Sequence, residues 1–233
     1  MDAPVDQGVA ADPLLDAAIA CFAAEGAAAT LRGIGSRAGV SAALLVKRFG
    51  SKDGLRAACD EVVLARIVRI KEQNVRDAAR GSFLSHAPGD AEQSLLVRYV
   101  IRAIVDGTAT SRDFIEAMVD DAERYIALAV DQGVARPSRD ERARARYLTL
   151  SGLGAVHLES LLDGTAQEED PGALMDGIRR RIAPPMLELF THGFFTDGTI
   201  LEDYLLFITD PPTGHAPPPP EDHPGSPFPK ESP

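Results

Sequence analysis

Residues 30–55 read TLRGIGSRAGVSAALLVKRFGSKDGL, and this stretch decides the fold. It contains two short helix signals, and each begins with a hydroxyl residue that can cap a helix, Thr30 or Ser41. Gly39 lies between them, where a tight turn needs a residue that tolerates positive φ. A further hydroxyl residue, Ser51, starts the next helix. Two short helices joined by a glycine turn are typical of a helix-turn-helix, so double-stranded DNA is the first partner to consider.

Helical signals extend on both sides of this stretch. Asp12 precedes Pro13, and a capping carboxylate followed by proline at the first helical position starts a helix. No alternation of period two, which would indicate a strand, appears anywhere. The signals predict helices over residues 13–25, 31–38, 42–49, 52–80, 91–105, 111–132, 139–162 and 171–193. Pro184-Pro185 must kink or split the last helix, because the first proline removes a hydrogen-bond donor.

The first three helices can bury a small core, and the fourth is long enough to connect two bodies. We predict the core of the three-helix head from its largest apolar residues, which are Phe22, Ile34, Val40, Leu45 and Phe49. The fourth helix would be roughly 43 Å long at 1.5 Å per residue. A short apolar segment, 200–208, follows the last predicted helix.

Composition limits the class of protein. The chain has 233 residues, of which 45% are hydrophobic, and it has no apolar run long enough to cross a membrane and no secretion signal. We therefore expect a cytoplasmic protein without a membrane partner. Cys21 and Cys59 each lie in an apolar helical pattern, so buried thiols are favoured over a disulfide.

The formal net charge is −11, but the charge is unevenly distributed. Residues 30–57 hold six basic residues and one acidic residue, a net charge of +5, so the rest of the chain carries −16. A positive block in an acidic protein is expected where one end meets phosphate. Charge alone equally allows a solvated basic surface.

The chain resembles the TetR family of bacterial transcription regulators, in the form that actinobacterial members take. The matching residues are Leu14-Leu15-Asp16-Ala17-Ala18, Phe22, Gly26, Thr30-Leu31-Arg32-Gly33-Ile34, Ala38-Gly39-Val40-Ser41, Leu45 and Phe49-Gly50-Ser51-Lys52-Asp53-Gly54-Leu55, with a further match at 187–196. The resemblance implies an all-α fold, in which a three-helix helix-turn-helix head is joined by a long helix to a helical ligand-binding and dimerisation domain. It implies residues 12–60 for the head and 61–210 for the second domain. We expect a flexible N-terminus over residues 1–11, and we expect residues 211–233 to be disordered because ten of these twenty-three residues are proline.

The implied function is transcription regulation. By resemblance, the protein binds a palindromic operator as a homodimer and is released by a small molecule whose identity the sequence does not give. We expect repression rather than activation, because occupying an operator needs no contact with polymerase.

The implied DNA contacts come from the second and third helices and from the start of the fourth. The third helix would lie in the major groove with its N-terminal residues towards the base edges. The residues expected at the DNA are Thr30, Arg32, Ser41, Ala42, Ala43, Leu44, Lys47, Arg48 and Lys52. We expect Arg32 and Lys47 to carry most of the polar base discrimination, with DNA shape contributing the rest. Arg37 is interpreted as covering the helix pair with its stem.

Two positions depart from the family pattern. Val46 stands where most members have tyrosine, and Leu44 stands where most have a small hydroxyl residue or alanine. Two usual phosphate contacts are therefore missing. An alternative function is consequently a helical interaction or small-molecule-binding protein with a weakened DNA-reading surface.

The second domain offers candidate dimer and pocket residues. The helices over 139–162 and 171–193 would form a dimeric four-helix bundle through Leu148, Leu150, Leu153, Val156, Leu161, Met186, Leu189 and Phe190, although the same residues could be monomer core. Four large residues of the middle helices are candidates for a ligand pocket, namely Phe114, Met118, Tyr125 and His157, although ordinary core is the favoured interpretation of each one taken singly.

An enzyme is the hypothesis from another class. The five histidines have no metal-ligand spacing, and no phosphate-binding glycine loop or Gly-x-Ser-x-Gly motif is present. The acidic run 120–123 points in different directions around a helix, which suits a solvated face better than a metal site. We therefore expect no enzymatic activity, no cofactor and no metal.

Overall fold

The computed structural model describes residues 12–82, 90–162, 164 and 171–208. Within these ranges the protein forms ten α-helices and no strand. The helices are α1 (Pro13–Glu25), α2 (Leu31–Ala38), α3 (Ala42–Phe49), α4 (Lys52–Ala79), α5 (Asp90–Asp106), α6 (Ala109–Asp131), α7 (Glu141–Leu162), α8 (Pro171–Gly177), α9 (Ala183–His192) and α10 (Thr199–Phe207). This confirms the predicted all-α fold. No helix in the described ranges has the length and apolar character needed to cross a membrane.

The capping residues of the head lie where the sequence predicts them. The N–H of Leu14 donates to Oδ1 of Asp12 at 3.0 Å, and the N–H of Gly54 donates to Oγ of Ser51 at 3.0 Å. These bonds satisfy N–H groups that have no partner within the helix, so α1 and α4 begin at defined residues. Gly39 ends α2 with φ of 70°, in the left-handed region that favours glycine.

The head is built around α1. Helices α2 and α4 pack on α1, and α3 packs on α2 and α4. Phe22, Ile34 and Leu45 are fully buried, whereas Val40 and Phe49 are half-buried and pack against the same cluster. The predicted core of the head is thus confirmed, with Val40 and Phe49 at its edge.

Helix α4 continues from the head into the second part of the molecule. It has 28 residues and is about 42 Å long at 1.5 Å per residue. Its second half packs against α6, and α6 packs against α7. Helix α5 packs on both α1 and α8, so the head and the rest of the chain share one hydrophobic cluster that runs from Leu14 to Phe114.

The C-terminal part departs from a regular helix. A five-residue π-helical turn, Ile178–Ile182, separates α8 from α9, immediately before Pro184-Pro185. The predicted kink or split thus takes the form of a π-helical turn, and the chain remains helical on both sides of it. The two prolines fall in the first turn of α9, where their missing N–H groups cost little. The apolar segment 200–208 forms most of α10, which the sequence pattern had not identified as a helix.

Both cysteines are buried and unpaired with each other, as predicted. Burial raises the pKa of the Cys59 thiol to about 12 and raises that of Cys21 as well. The predicted flexible N-terminus, 1–11, and proline-rich tail, 211–233, lie outside the described residues.

Candidate nucleic-acid interface and ligand cavity

The turn between α2 and α3 depends on close backbone approach. The N–H of Val40 donates to the carbonyl oxygen of Gly35 at 2.8 Å, which closes the turn. A Cβ on Gly35 would lie 2.6 Å from the Val40 carbonyl oxygen. Glycine is therefore required at residue 35, a constraint that the sequence pattern did not identify. The turn fixes α3 relative to α2.

The outer face of the helix-turn-helix exposes most of the residues predicted to contact DNA. Ala43, Leu44 and Lys47 on α3 and Arg32 on α2 are all exposed. Ala42 is half-buried, so it offers less surface to DNA than its neighbours. These side chains form a surface that combines apolar residues with cations, as contact with thymine methyl groups and phosphates requires.

The hydroxyls of Thr30 and Ser41 already cap helices. The N–H of Gly33 donates to Oγ1 of Thr30 at 3.1 Å, and the N–H of Leu44 donates to Oγ of Ser41 at 3.2 Å. Both oxygens accept in these bonds, so each hydroxyl hydrogen remains able to donate to a phosphate oxygen. The two residues are exposed at the N-terminal ends of α2 and α3.

Two of the candidate cations have partners within the head. The guanidinium of Arg48 bonds Oδ2 of Asp12 at 2.5 Å and lies over the Phe49 ring. The ammonium of Lys52 donates to the carbonyl oxygen of Ala27 at 2.6 Å. Either side chain would have to share or exchange these partners to bind phosphate. Arg32 and Lys47 make no side-chain hydrogen bond or ion pair with any described residue.

A buried polar network connects the head to α5. The Tyr99 hydroxyl donates to Oδ1 of Asp60 at 2.5 Å, and Nε of Arg56 donates to the same oxygen at 3.2 Å. The Arg56 guanidinium also lies between the Phe22 and Tyr99 rings, 5.0 and 4.5 Å from their centroids. Burial raises the pKa of Asp60, and the bonds from Tyr99 and Arg56 oppose that shift. The network joins α1, α4 and α5, and the sequence pattern did not predict it.

A cavity of about 390 Å³ lies in the second part of the molecule. Its lining comes from α4, α5, α6, α7, α8, the π-helical turn and the start of α9. Of the four candidate pocket residues, Met118 and Tyr125 line this cavity. Phe114 is buried beside Tyr99 instead, with ring centroids 6.0 Å apart. His157 is half-buried outside the lining, and its Nδ1 has no hydrogen-bond partner in the described part of the chain.

A more open depression between α4 and α6 is lined mainly by charged residues. Glu72 bonds Arg76 at 2.7 Å, and Asp121 bonds Arg124. Asp120 pairs with Arg142 on α7. The acidic side chains of residues 120–123 are therefore paired with arginines. Within the described ranges, no group of residues has the geometry of a metal site.

The candidate dimer residues divide into two sets. Leu148, Leu153 and Val156 are half-buried and line the cavity, whereas Met186 lines the cavity but is exposed. Leu150, Leu161, Leu189 and Phe190 are exposed, and Phe190 keeps 57% of its surface accessible. The exposed set leaves a substantial apolar surface on α7 and α9.

The described fold defines a helix-turn-helix protein whose head is joined by one long helix to a helical body with a cavity. Comparisons with known proteins agree. Residues 14–59 match the family model of bacterial regulatory proteins, tetR family, and residues 91–196 match the tetracyclin repressor-like C-terminal domain.

One curated relative and two solved structures are similar to this chain over most of its length. The HTH-type transcriptional regulatory protein RaaS of Mycobacterium tuberculosis is 34% identical over 193 residues, which cover 82% of this chain and 89% of the relative. A Clostridium perfringens putative fatty acid metabolism regulator aligns with 18% identity and a TM-score of 0.49, over 80% of this chain and 100% of that chain. The TetR family transcriptional regulator PfmR from Thermus thermophilus aligns with 20% identity and a TM-score of 0.46, over 80% of this chain and 97% of that chain.

The family models and the mycobacterial relative together show that this chain belongs to the TetR family of bacterial transcription regulators. It is a DNA-binding regulator. The resemblance inferred from the sequence is thereby confirmed.

Proposed function

We propose that this regulator binds a palindromic operator as a homodimer, represses transcription there and is released by a small molecule held in the cavity. The observation that carries the proposal is the course of α4. Its first residue, Lys52, follows the recognition helix α3 by three positions, and its later residues Leu64–Asn74 contribute to the cavity wall. A ligand that tilts α4 changes the orientation of the head, because the two ends belong to one helix.

Operator contact would come from the exposed cations and apolar residues of the head. Arg32 and Lys47 are free to reach bases, since neither has a described partner within the chain. Arg48 and Lys52 would add phosphate contacts by exchanging Asp12 and the Ala27 carbonyl for DNA oxygens. A head on its own contacts one half-site, so two heads about 34 Å apart are needed to read a palindrome.

The dimer would form through α7 and α9. Leu161 of α7 and Phe190 of α9 expose 56% and 57% of their surfaces, and Leu150 and Leu189 on the same helices are also exposed. Exposed apolar patches of this kind mark interaction sites. A two-fold interface would place the same patch of each subunit against its copy. Repression follows as the simpler outcome, since an occupied operator blocks polymerase without any further contact.

Light scattering tests the dimer. The wild-type protein should be a dimer at micromolar concentration, and Phe190→Glu should be a monomer that binds operator DNA weakly. Val105→Glu is the matched control, because Val105 on α5 is similarly exposed at 55% but lies away from the proposed interface. A monomeric wild-type protein, or a dimer that tolerates Phe190→Glu, would contradict the interface.

A further inference from the structure

The cavity combines apolar walls with a small number of polar side chains. Most of its lining side chains are aliphatic, from α4, α5 and α7. The exceptions that matter are Lys71 on α4 and Thr149 on α7. Each side chain can donate a hydrogen bond, and neither has a bonding partner among the described residues. Their joint presence indicates the chemistry of the occupant.

Lys71 brings an uncompensated positive charge to the cavity. The residue is exposed and lines the cavity, so it lies where the cavity opens to solvent. No acidic side chain in the described ranges pairs with its ammonium. Asp121 also lines the cavity, but its carboxylate bonds Arg124. The neighbouring Arg69 bonds Glu92 at 3.0 Å. Lys71 is therefore the charged group of the described lining that a bound anion would neutralise.

Thr149 supplies the second polar group. Its residue is 9% exposed, and its Oγ1 is buried without a hydrogen-bond partner in the part of the chain that the structure describes. Buried hydroxyls in native proteins are normally bonded, so an unpartnered one at a cavity wall indicates a group that bonds when the cavity is filled. The hydroxyl can donate to an oxygen of an occupant.

The far wall of the cavity is apolar and irregular. Ile178 and Ile182 lie at the two ends of the π-helical turn, and both line the cavity, together with Met186 of α9. π-Helical turns widen a helix locally and are frequent at functional sites. This wall suits the apolar part of a molecule rather than its polar end.

We propose that the cavity binds an apolar molecule that carries one carboxylate, with the carboxylate at the Lys71 ammonium. The apolar part lies against the aliphatic walls and the π-helical turn, and Thr149 donates a further hydrogen bond to an oxygen of the same carboxylate. A carboxylate matches the single charge of Lys71, whereas a phosphate dianion would exceed it, and no arginine fork lines the described cavity. The volume of about 390 Å³ lies at the small end of the range for ligand pockets. The inference rests on the proposed function, because it assigns the chemistry of the releasing molecule.

Three probes with ten-carbon chains test the inference by isothermal titration calorimetry, the two charged ones below their micelle concentrations and the neutral one below its solubility limit. They are decanoate, decan-1-ol and decyltrimethylammonium, whose polar groups are negative, neutral and positive. Wild-type protein should bind decanoate at least about tenfold more tightly than decanol, a difference of about 1.4 kcal/mol. It should bind the cation most weakly.

Substitutions of the lining residues test whether the carboxylate of decanoate lies at Lys71. Lys71→Met should reduce decanoate affinity to that of decanol and leave decanol binding unchanged, whereas Lys71→Arg should retain the preference for decanoate. Thr149→Val should weaken decanoate binding to a smaller extent. Arg80→Met is the control, because it removes an exposed positive charge just beyond the end of α4, outside the cavity. Circular dichroism confirms that each variant is folded.

The outcomes separate this inference from the proposed function. Equal binding of the three probes, no binding of decanoate, or unchanged decanoate binding by Lys71→Met would overturn the inference and leave operator binding unaffected. Operator affinity is measured separately with and without saturating decanoate. If decanoate binds at Lys71 but leaves operator affinity unchanged, the carboxylate site stands and release by the cavity ligand is refuted.

Discussion

The most informative single substitution is Tyr99→Phe, which removes one hydroxyl from the network between the head and α5. The hydroxyl donates to Asp60 at 2.5 Å, and both side chains are buried. The ring remains, so the change removes a hydrogen bond to a charged acceptor while packing is kept. Such bonds contribute about 1.5–3 kcal/mol, and we expect a loss in that range at pH 7. Asp60 keeps its bond from Arg56, which limits the loss.

The loss should also depend on pH with a defined sign. Burial raises the pKa of Asp60, and the Tyr99 bond opposes that shift by stabilising the ionised carboxylate. A raised folded-state pKa means that ionised Asp60 disfavours folding at high pH, and that this penalty disappears as the pH falls through the folded pKa. Tyr99→Phe increases the penalty. The difference from wild type should therefore be largest at neutral pH and shrink as Asp60 becomes protonated.

Urea unfolding followed by circular dichroism measures this difference, at one fixed protein concentration because association contributes to stability. Tyr147→Phe is the control, because Tyr147 is 68% exposed and its variant should stay within about 0.5 kcal/mol of wild type. If Tyr99→Phe lowers the free energy of unfolding by less than about 0.5 kcal/mol at pH 7, which is the size of an ordinary surface effect, the Tyr99–Asp60 hydrogen bond does not stabilise the fold as proposed. A loss independent of pH would show that the Asp60 charge is not involved.

Three further predictions concern the head: two come from substitutions and one from chemical labelling of a cysteine. Gly35→Ala should lower the midpoint of thermal unfolding sharply, because its Cβ would meet the Val40 carbonyl oxygen at 2.6 Å. The control Gly33→Ala should be tolerated, because the nearest atom to its Cβ is the Thr30 hydroxyl oxygen at 3.3 Å. Cys59 should resist iodoacetamide at pH 8 while the urea-unfolded protein reacts, since burial raises its pKa to about 12; rapid labelling of the native protein would contradict its burial. The logarithm of the operator-binding constant falls linearly with the logarithm of the salt concentration. Lys47→Ala should make this slope shallower by about 2 for a dimer, because each of the two heads loses about one phosphate contact. An unchanged slope would place Lys47 away from DNA.

The head could be predicted from sequence because its determinants are local. Thr30, Ser41 and Ser51 each cap a helix three residues from the N–H they bind, so spacing alone marks where α2, α3 and α4 begin. Gly39 marks the turn for a similarly local reason, its positive φ. The bounds of the first three helices matched the prediction at every residue, and α4 ended one residue early.

The cavity and the polar network could not be predicted in the same way, because both depend on residues distant in sequence. Asp60 and Tyr99 are 39 residues apart, and no periodicity links them. Lys71 is one of many cations on a long helix, and only the packing of α5, α6 and α7 places it at a cavity. Phe114 and His157 are candidates because of their size and their position along the chain. Neither property determines which side of a helix faces the cavity.

We propose that α2 and α3 read a specific DNA sequence, with Arg32 as a discriminating residue. Fluorescence anisotropy should compare DNA flanking the gene with scrambled DNA of equal length at the same salt, for wild type, Arg32→Ala and the control Arg37→Ala. We expect wild type to prefer the flanking DNA at least about a hundredfold. Arg32→Ala should reduce the free-energy difference between the two DNAs by about 1–3 kcal/mol, whereas Arg37→Ala should keep it. Equal binding to both DNAs, or an unchanged ratio in Arg32→Ala, would contradict this proposal and favour a helical interaction protein whose Leu44 and Val46 have weakened DNA reading.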